Sequence, residues 1–310
     1  MRPVRPIVFF GTEDFSLATL EALVHDGYTV AAVVTKPDSK QGRGQKLTSP
    51  LVKVFAERLN IPVWQPIKLT DITEKIRTLK SPVGVLVSYG KIIPQSIIDL
   101  FSPGIINIHP SLLPKYRGPS PVESAILHAD SVTGVSIMQL SASMDAGPVY
   151  IQRSLDLKGN EEINPLYDKL SKIGIELLLA RLPVILSGEL QPTIQNNAAA
   201  TYCQLIRKSD GVIDWAQSAQ IIECKVRAYR TWPKTRTTVG SHEVIIAAAH
   251  VANESATDAP GTIAVCDEVA GALSINTGEG TLAIDIIQPI GKKEMPVKAF
   301  LAGYKSRIAQ

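Results

Sequence analysis

Cysteine is scarce in this chain. Cys203, Cys224 and Cys266 lie far apart with no CxxC pair, which excludes a disulfide framework and a thiolate zinc site. A reducing, cytoplasmic setting and no metal are expected. Long apolar runs are also missing. None approaches the roughly 18 residues of a membrane helix, so no membrane association is expected. The first run, Ile7 to Phe10, is cut by Gly11, Glu13 and Asp14 before it reaches the length of a signal-peptide core. Charge of one sign is modest: the net +3 is too small for a histone-like nucleic-acid binder, and any RNA-binding surface has to be local. Gly11 in GTEDF has no GxGxxG around it, which excludes a nicotinamide or flavin site. There is no internal repeat and no low-complexity tract.

What remains is a chain of 310 residues with 45% hydrophobic and 20% charged residues, enough for two cores. Up to about residue 189, short β-branched runs alternate with helical stretches, which predicts a Rossmann-like α/β domain with a mostly parallel sheet. Strands are expected at Ile7 to Phe10, Thr29 to Thr35, Val83 to Ser88, Gly104 to His109 and Thr133 to Leu140. Helices are expected at Ser16 to His25, Pro50 to Leu59 and Asn164 to Leu186. Lys36 to Ser49, KPDSKQGRGQKLTS, reads as a long exposed loop. Residues 190–204 lack any period and are assigned as a linker. From 205 to 310, short runs with turn signals at Val239-Gly240-Ser241, Asp258 to Gly261 and Thr277 to Gly280 predict a smaller, OB-like β-barrel.

The densest chemistry lies in IINIHPSLLPKYRGPSP, Ile105 to Pro121, followed by MDAGPVY at Met144 to Tyr150. Asn107 and His109 are two apart at the end of a strand, hence on one face of it. In open α/β sheets, ligands sit outside the carboxyl ends of strands, so polar groups there have a functional meaning that core residues lack. An amide donor beside an imidazole suits acyl transfer between nitrogens. Attack by a neutral amine builds negative charge on the acyl oxygen and positive charge on the amine, and the pair answers both. Asp145, in a glycine-bounded loop, is the carboxylate available to orient the imidazole, although an ordinary turn residue would look the same.

On these residues the chain resembles the folate-dependent formyltransferases, whose pattern is Asn-x-His, then SLLP, then an Asp further on. Here it stands as Asn107, His109, Ser111 to Pro114 and Asp145. The resemblance implies that Asn107, His109 and Asp145 are the catalytic trio and that Ser111, Leu112, Leu113 and Pro114 border the folate. It also implies that Val87, Ser88, Tyr89, Gly90 and Ile92 form the other wall around the pterin. FFGTEDF, GRGQKL, KLSKIG, IDW, RAYRTWP and IQPIGKKEM extend the likeness nearly end to end. They are similar to the branch of the family whose acceptor is methionine on initiator tRNA and whose formyl donor is 10-formyltetrahydrofolate. A monomer is expected.

Two basic stretches fit an RNA partner. The loop with Lys36, Lys40, Arg43 and Lys46 is glycine-punctuated, and mobile basic loops order against phosphates; Arg43 and Lys46 are the candidates. Lys225, Arg227, Arg230, Lys234 and Arg236 interleave with Tyr229 and Trp232 and could track an RNA backbone, or they are strand-face charges over core aromatics. Two other readings compete. The same trio would serve another amine, on an amino sugar nucleotide or a glycinamide ribonucleotide. Alternatively, the chain is a catalytically silent RNA-binding module, which would have no need of the trio.

Overall fold

The computed structural model describes residues 5–41, 44–253, 255–256 and 258–304. The chain divides into two compact units. One comprises residues 1–121, 133–155 and 167–203, the other residues 122–132, 156–166 and 204–310.

The first unit is built on a seven-stranded sheet. Its first strand, β1 (Ile7–Gly11), is buried along its whole length, as expected of a central strand with no solvent face. Helix α1 (Ser16–His25) follows, burying Ser16, Thr19, Leu20 and Leu23. Gly27 ends it in the left-handed conformation, with Gly27 N–H on the Val24 carbonyl and Tyr28 N–H on the Leu23 carbonyl. That double closure satisfies the last helical carbonyls and turns the chain back to the sheet. Strand β2 (Val30–Val34) pairs parallel to β1.

The expected loop at Lys36 to Ser49 is in fact an antiparallel hairpin, β3 (Ser39–Gln41) with β4 (Lys46–Thr48). Sequence periodicity cannot find strands of three residues whose one apolar side chain, Leu47, is exposed rather than set against a core. Helix α2 (Leu51–Arg58), β5 (Val63–Trp64), α3 (Thr73–Arg77), β6 (Val83–Val87), α4 (Gln95–Ile98), β7 (Ile105–His109), α5 (Pro121–Leu127), β8 (Val132–Gln139), β9 (Val149–Asp156) and α6 (Ile163–Leu186) complete this part of the chain.

Strand order is β5-β2-β1-β6-β7-β8-β9. Pairing is parallel from β5 to β7, and β8 runs antiparallel to β7. The chain therefore winds outward from β1 in one direction and returns through β6 in the other, which opens a crevice at the carboxyl ends of β1 and β6. Phe10, Tyr89, Ile97, Phe101 and Ile105 fill one core, with Phe10 edge-on to both Tyr89 and Phe101. Each such ring buried stabilises the fold by about 2 kcal/mol.

In the second unit, α7 (Ala219–Ala228) is capped by the Ser218 hydroxyl, which accepts from Ile221 N–H. An antiparallel sheet follows, made of β10 (Thr235–Val239), β11 (His242–Asn253), β12 (Ile263–Asp267), β13 (Ala272–Asn276), β14 (Thr281–Pro289) and β15 (Met295–Pro296), with α8 (Val297–Tyr304) after it. The turns at Gly240-Ser241 and at Thr277 to Gly280 join paired strands as the sequence predicts. Ile222 and Val226 of α7, Phe300 and Leu301 of α8, and the inward residues of β11 and β14 form its core. The sheet path runs from β10 to β12, and no pairing among the described residues joins those two ends into a closed barrel.

Candidate active site

Strand β7 reads IINIH and is buried throughout. Leu86 of β6 is the register partner of Asn107, so the chain leaves β6 through Val87 and Ser88 alongside Ile108 and His109. Asn107 and His109 point to the same face of the strand, and both are buried.

The two ring nitrogens of His109 face different groups. Nε2 lies 3.0 Å from the Tyr116 carbonyl oxygen. A carbonyl only accepts, so Nε2 carries the proton in the neutral ring and Nδ1 holds the lone pair. Nδ1 is 3.7 Å from Asp145 Oδ2, close enough for charge interaction but too long for a hydrogen bond. The same Oδ2 accepts Gly118 N–H at 2.8 Å. The arrangement can take a proton at Nδ1 and stabilise the resulting imidazolium with the Asp145 carboxylate.

The Pro110 to Gly118 loop is fixed from several sides. Ser136 Oγ donates to the Ser111 carbonyl at 2.6 Å and accepts Leu113 N–H at 3.1 Å. Gln152 donates to the Leu113 carbonyl and to Ser136 Oγ. Ser111 Oγ donates to the Lys115 carbonyl. Ser111 and Leu113 are buried, whereas Leu112 and Pro114 are partly exposed.

Arg117 is only 2% exposed. Its guanidinium donates to Gln195 Oε1 through Nε and Nη2, to Asn197 Oδ1 and to the Tyr202 hydroxyl. Gln195 in turn donates to the carbonyls of Asp145 and Gly147, at 2.7 Å each. Sequence reading missed Tyr116, Arg117, Gly118 and Gln195. Arg117 and Gln195 look like surface residues by type, and only their burial reveals them.

The opposite wall is less uniform. Val87 is buried and, with Phe15, Ile108, Pro110, Tyr167 and Leu170, lines a small apolar cavity of about 10 Å³. The Tyr89 ring turns into the Phe10 core, where burial pushes its hydroxyl up to about 12. Thr12 Oγ1 donates to the Tyr89 carbonyl. Ser88 and Gly90 both have positive φ, while Ile92 is 79% exposed. Val87 thus joins the residues of β7, and the side chains of Tyr89 and Ile92 do not.

Of the residues expected to meet RNA, Arg43 lies outside the described residues and Lys46 is exposed on β4. Lys225 and Arg227 lie on helix α7 rather than on a strand. Lys225 Nζ donates to the Val212 carbonyl at 2.9 Å. Arg227 makes a bidentate pair with Glu223 and donates to the Glu161 carbonyl. Arg230 is bidentate on Glu294 at 2.8 and 2.7 Å, and each member of that pair stabilises the charged form of the other. Among the described residues, no His, Cys, Asp and Glu group could hold a metal ion, and no helix is long and apolar enough to cross a membrane.

The doubly wound sheet, the His109 site and the antiparallel C-terminal unit define a formyl transferase. Residues 4–182 match the formyl transferase family model, and residues 205–305 match the formyl transferase C-terminal domain. Methionyl-tRNA formyltransferase of Chloroflexus aurantiacus is 40% identical over 299 residues, covering 96% of each chain. That of Sulfurihydrogenibium sp. is 38% identical over 307 residues, covering 98% of each. The chain belongs to the methionyl-tRNA formyltransferase family. Among solved structures, an N-formyltransferase from Helicobacter canadensis in complex with folinic acid and dTDP-3-aminofucose has a TM-score of 0.69 at 20% identity, covering 93% of this chain and all of that one. HypX from Aquifex aeolicus in complex with tetrahydrofolic acid has a TM-score of 0.63 at 19% identity, and this chain spans 48% of its length. At these identities the likeness is one of fold.

Proposed function

We propose that this chain transfers the formyl group of 10-formyltetrahydrofolate to the amine of methionine on initiator tRNA, with Asn107, His109 and Asp145 as its catalytic groups. The observation that carries this reading is the His109 imidazole. Its Nε2–H is fixed on the Tyr116 carbonyl, which leaves Nδ1 as the basic nitrogen opposite Asp145. His109 takes the proton that the amine loses as its nitrogen bonds to the formyl carbon. Asn107 donates to the formyl oxygen as negative charge develops there, and Asp145 holds the imidazolium. The bond from the formyl carbon to the folate nitrogen breaks, and that nitrogen receives the proton. The products are formylmethionyl-tRNA and tetrahydrofolate.

The residues at the carboxyl ends of β6 and β7 suit a folate: Val87, Leu112 and Pro110 are apolar, and buried Asn107 and Ser111 are polar, as a pterin site requires. For the tRNA, the β3–β4 hairpin offers exposed Lys46, and Arg43, outside the described residues, is the second candidate from the same stretch of sequence. Lys225, Arg227 and Arg230 are engaged in internal bonds and are assigned to holding the C-terminal unit together. A cytoplasmic location follows from the substrate.

The test is formyl transfer from 10-formyltetrahydrofolate to initiator methionyl-tRNA, with elongator methionyl-tRNA and an amino sugar nucleotide as parallel acceptors. Transfer confined to the initiator supports the reading, and transfer only to the sugar overturns the substrate. His109→Ala should lower kcat by roughly 10²- to 10⁴-fold with the fold intact; near-normal turnover would refute the assignment of the base.

A further inference from the structure

The two groups that face His109 are both held in a strained backbone conformation. Tyr116, whose carbonyl receives Nε2–H, has φ 57, and Asp145, whose carboxylate faces Nδ1, has φ 46. A residue other than glycine in this region costs on the order of 1–3 kcal/mol and persists only when its surroundings over-determine it. The surroundings are the same short segment in both cases. Tyr116 N–H donates to Thr201 Oγ1 at 2.8 Å. Arg117 N–H donates to the Thr201 carbonyl and Cys203 N–H to the Arg117 carbonyl, both at 2.9 Å. At the other end, Gln195 Nε2 donates to the Asp145 carbonyl at 2.7 Å. Between these grips, the buried Arg117 guanidinium ties Gln195, Asn197 and Tyr202 into one piece.

We infer that residues 195–203, the stretch read from sequence as a linker, are a positioning strap that sets the tautomer and alignment of His109 by gripping Tyr116 and Asp145. The hydrogen-bond partners of Arg117 are all neutral oxygens. Among the described residues Arg117 has no carboxylate partner, and a buried cation so placed is expensive, so stability alone does not require it. What it provides is a five-donor fork that fixes several acceptors at once. With the strap in place, the Tyr116 carbonyl holds the proton on Nε2 and Nδ1 stays basic. When the strap is loosened, the ring can turn its N–H toward the Asp145 carboxylate, and the lone pair is lost from the side where the amine proton has to be accepted. Gln195, Thr201 and Arg117 are thus positioning residues that act through Tyr116 and Asp145.

This inference rests on the reading of His109 as the base, and it is tested by a signal that does not depend on turnover. Two variants loosen the grips separately. Thr201→Val removes the acceptor of Tyr116 N–H at an exposed position. Gln195→Glu keeps an oxygen for Arg117 but loses the donors to Asp145 and Gly147. The full-length protein is examined by imidazole ¹⁵N NMR, with His109→Asn identifying the His109 signals, alongside kcat and KM for both substrates. Both variants should melt cooperatively and keep KM within about threefold. They should lower kcat roughly 10- to 100-fold, as loss of a supporting partner typically does, and move neutral His109 from Nε2–H to a mixture of tautomers. If His109 keeps its Nε2–H form in both variants, the strap is overturned, whatever happens to kcat. If Gln195→Glu fails to fold, Thr201→Val alone decides. Should His109→Ala remain active, the assignment of the base falls separately, because the tautomer signal would still report on the strap.

Discussion

Asp38 and Ser49 stand at the two ends of the β3–β4 hairpin and share a hydrogen bond of 2.9 Å, which closes its base. Lys53 of α2 donates to both oxygens of the same carboxylate, and Gln65 Nε2 reaches both Asp38 and the Lys36 carbonyl. These bonds, Lys53 first, hold the Asp38 carboxyl down at about 2. A depressed carboxyl contributes stability that is full above its ordinary range and is lost as pH falls through that range toward 2. Asp38→Asn should therefore melt below wild type at neutral pH, and the gap should close on acidification toward pH 2. A gap that stayed constant over that interval would mean that the carboxylate charge has no part in the closure.

Asp145→Asn isolates the carboxylate's charge from its geometry. The amide retains an oxygen for Gly118 N–H, so the loop should keep its place and the melting temperature should stay within a few degrees. What disappears is the negative charge 3.7 Å from His109 Nδ1, which would stabilise the imidazolium only as it forms. Turnover should fall by roughly 10²- to 10³-fold, with the KM for folate little changed. Steady-state kinetics with both substrates checks this, and a fall confined to KM would remove Asp145 from the chemistry.

The sequence made the site legible where side-chain type and local order sufficed. Asn107 and His109 end a strand of buried apolar residues, and alternation alone puts them on one face. The parallel strands were visible because burial on both faces leaves continuous runs such as IVFF and VGVLV. The β3–β4 hairpin was not, since no core records its register. Helix α7 was also hidden. Its Lys225 and Arg227 read as the start of a basic run reaching Arg236, while the apolar stripe of Ile222 and Val226 beneath them is short. Gln195 could not be read at all, because its role depends on partners 48 to 78 residues away.

The pairing of Arg227 with Glu223 is nearly closed to water, with side-chain exposures of 11% and 15%. Removing one partner of such a pair leaves an uncompensated charge, which costs about 3 kcal/mol. Arg227→Met should thus lower the melting temperature clearly, and Glu223→Gln should move it in the same direction. The folded fraction of Arg227→Met should show the same salt dependence of tRNA use as wild type, because no phosphate contact has been lost. A shallower salt slope at unchanged stability would instead return Arg227 to the RNA interface.

Gly118 has φ +124, and a Cβ built there would sit 2.4 Å from the Cys203 backbone oxygen. Its N–H is the donor that holds Asp145 Oδ2. Gly118→Ala therefore meets two penalties, a backbone region that L-residues rarely adopt and a clash with main chain that cannot rotate away, together roughly 3 kcal/mol. Relief requires the 116–118 loop and the 201–203 segment to separate, and that movement would carry Gly118 N–H off the carboxylate. Stability and turnover should fall together in Gly118→Ala, in contrast to Asp145→Asn, where turnover falls alone. Thermal melting and single-turnover formyl transfer on the two variants make the comparison. If Gly118→Ala loses stability but keeps its rate of transfer, the Gly118 hydrogen bond is not what places Asp145.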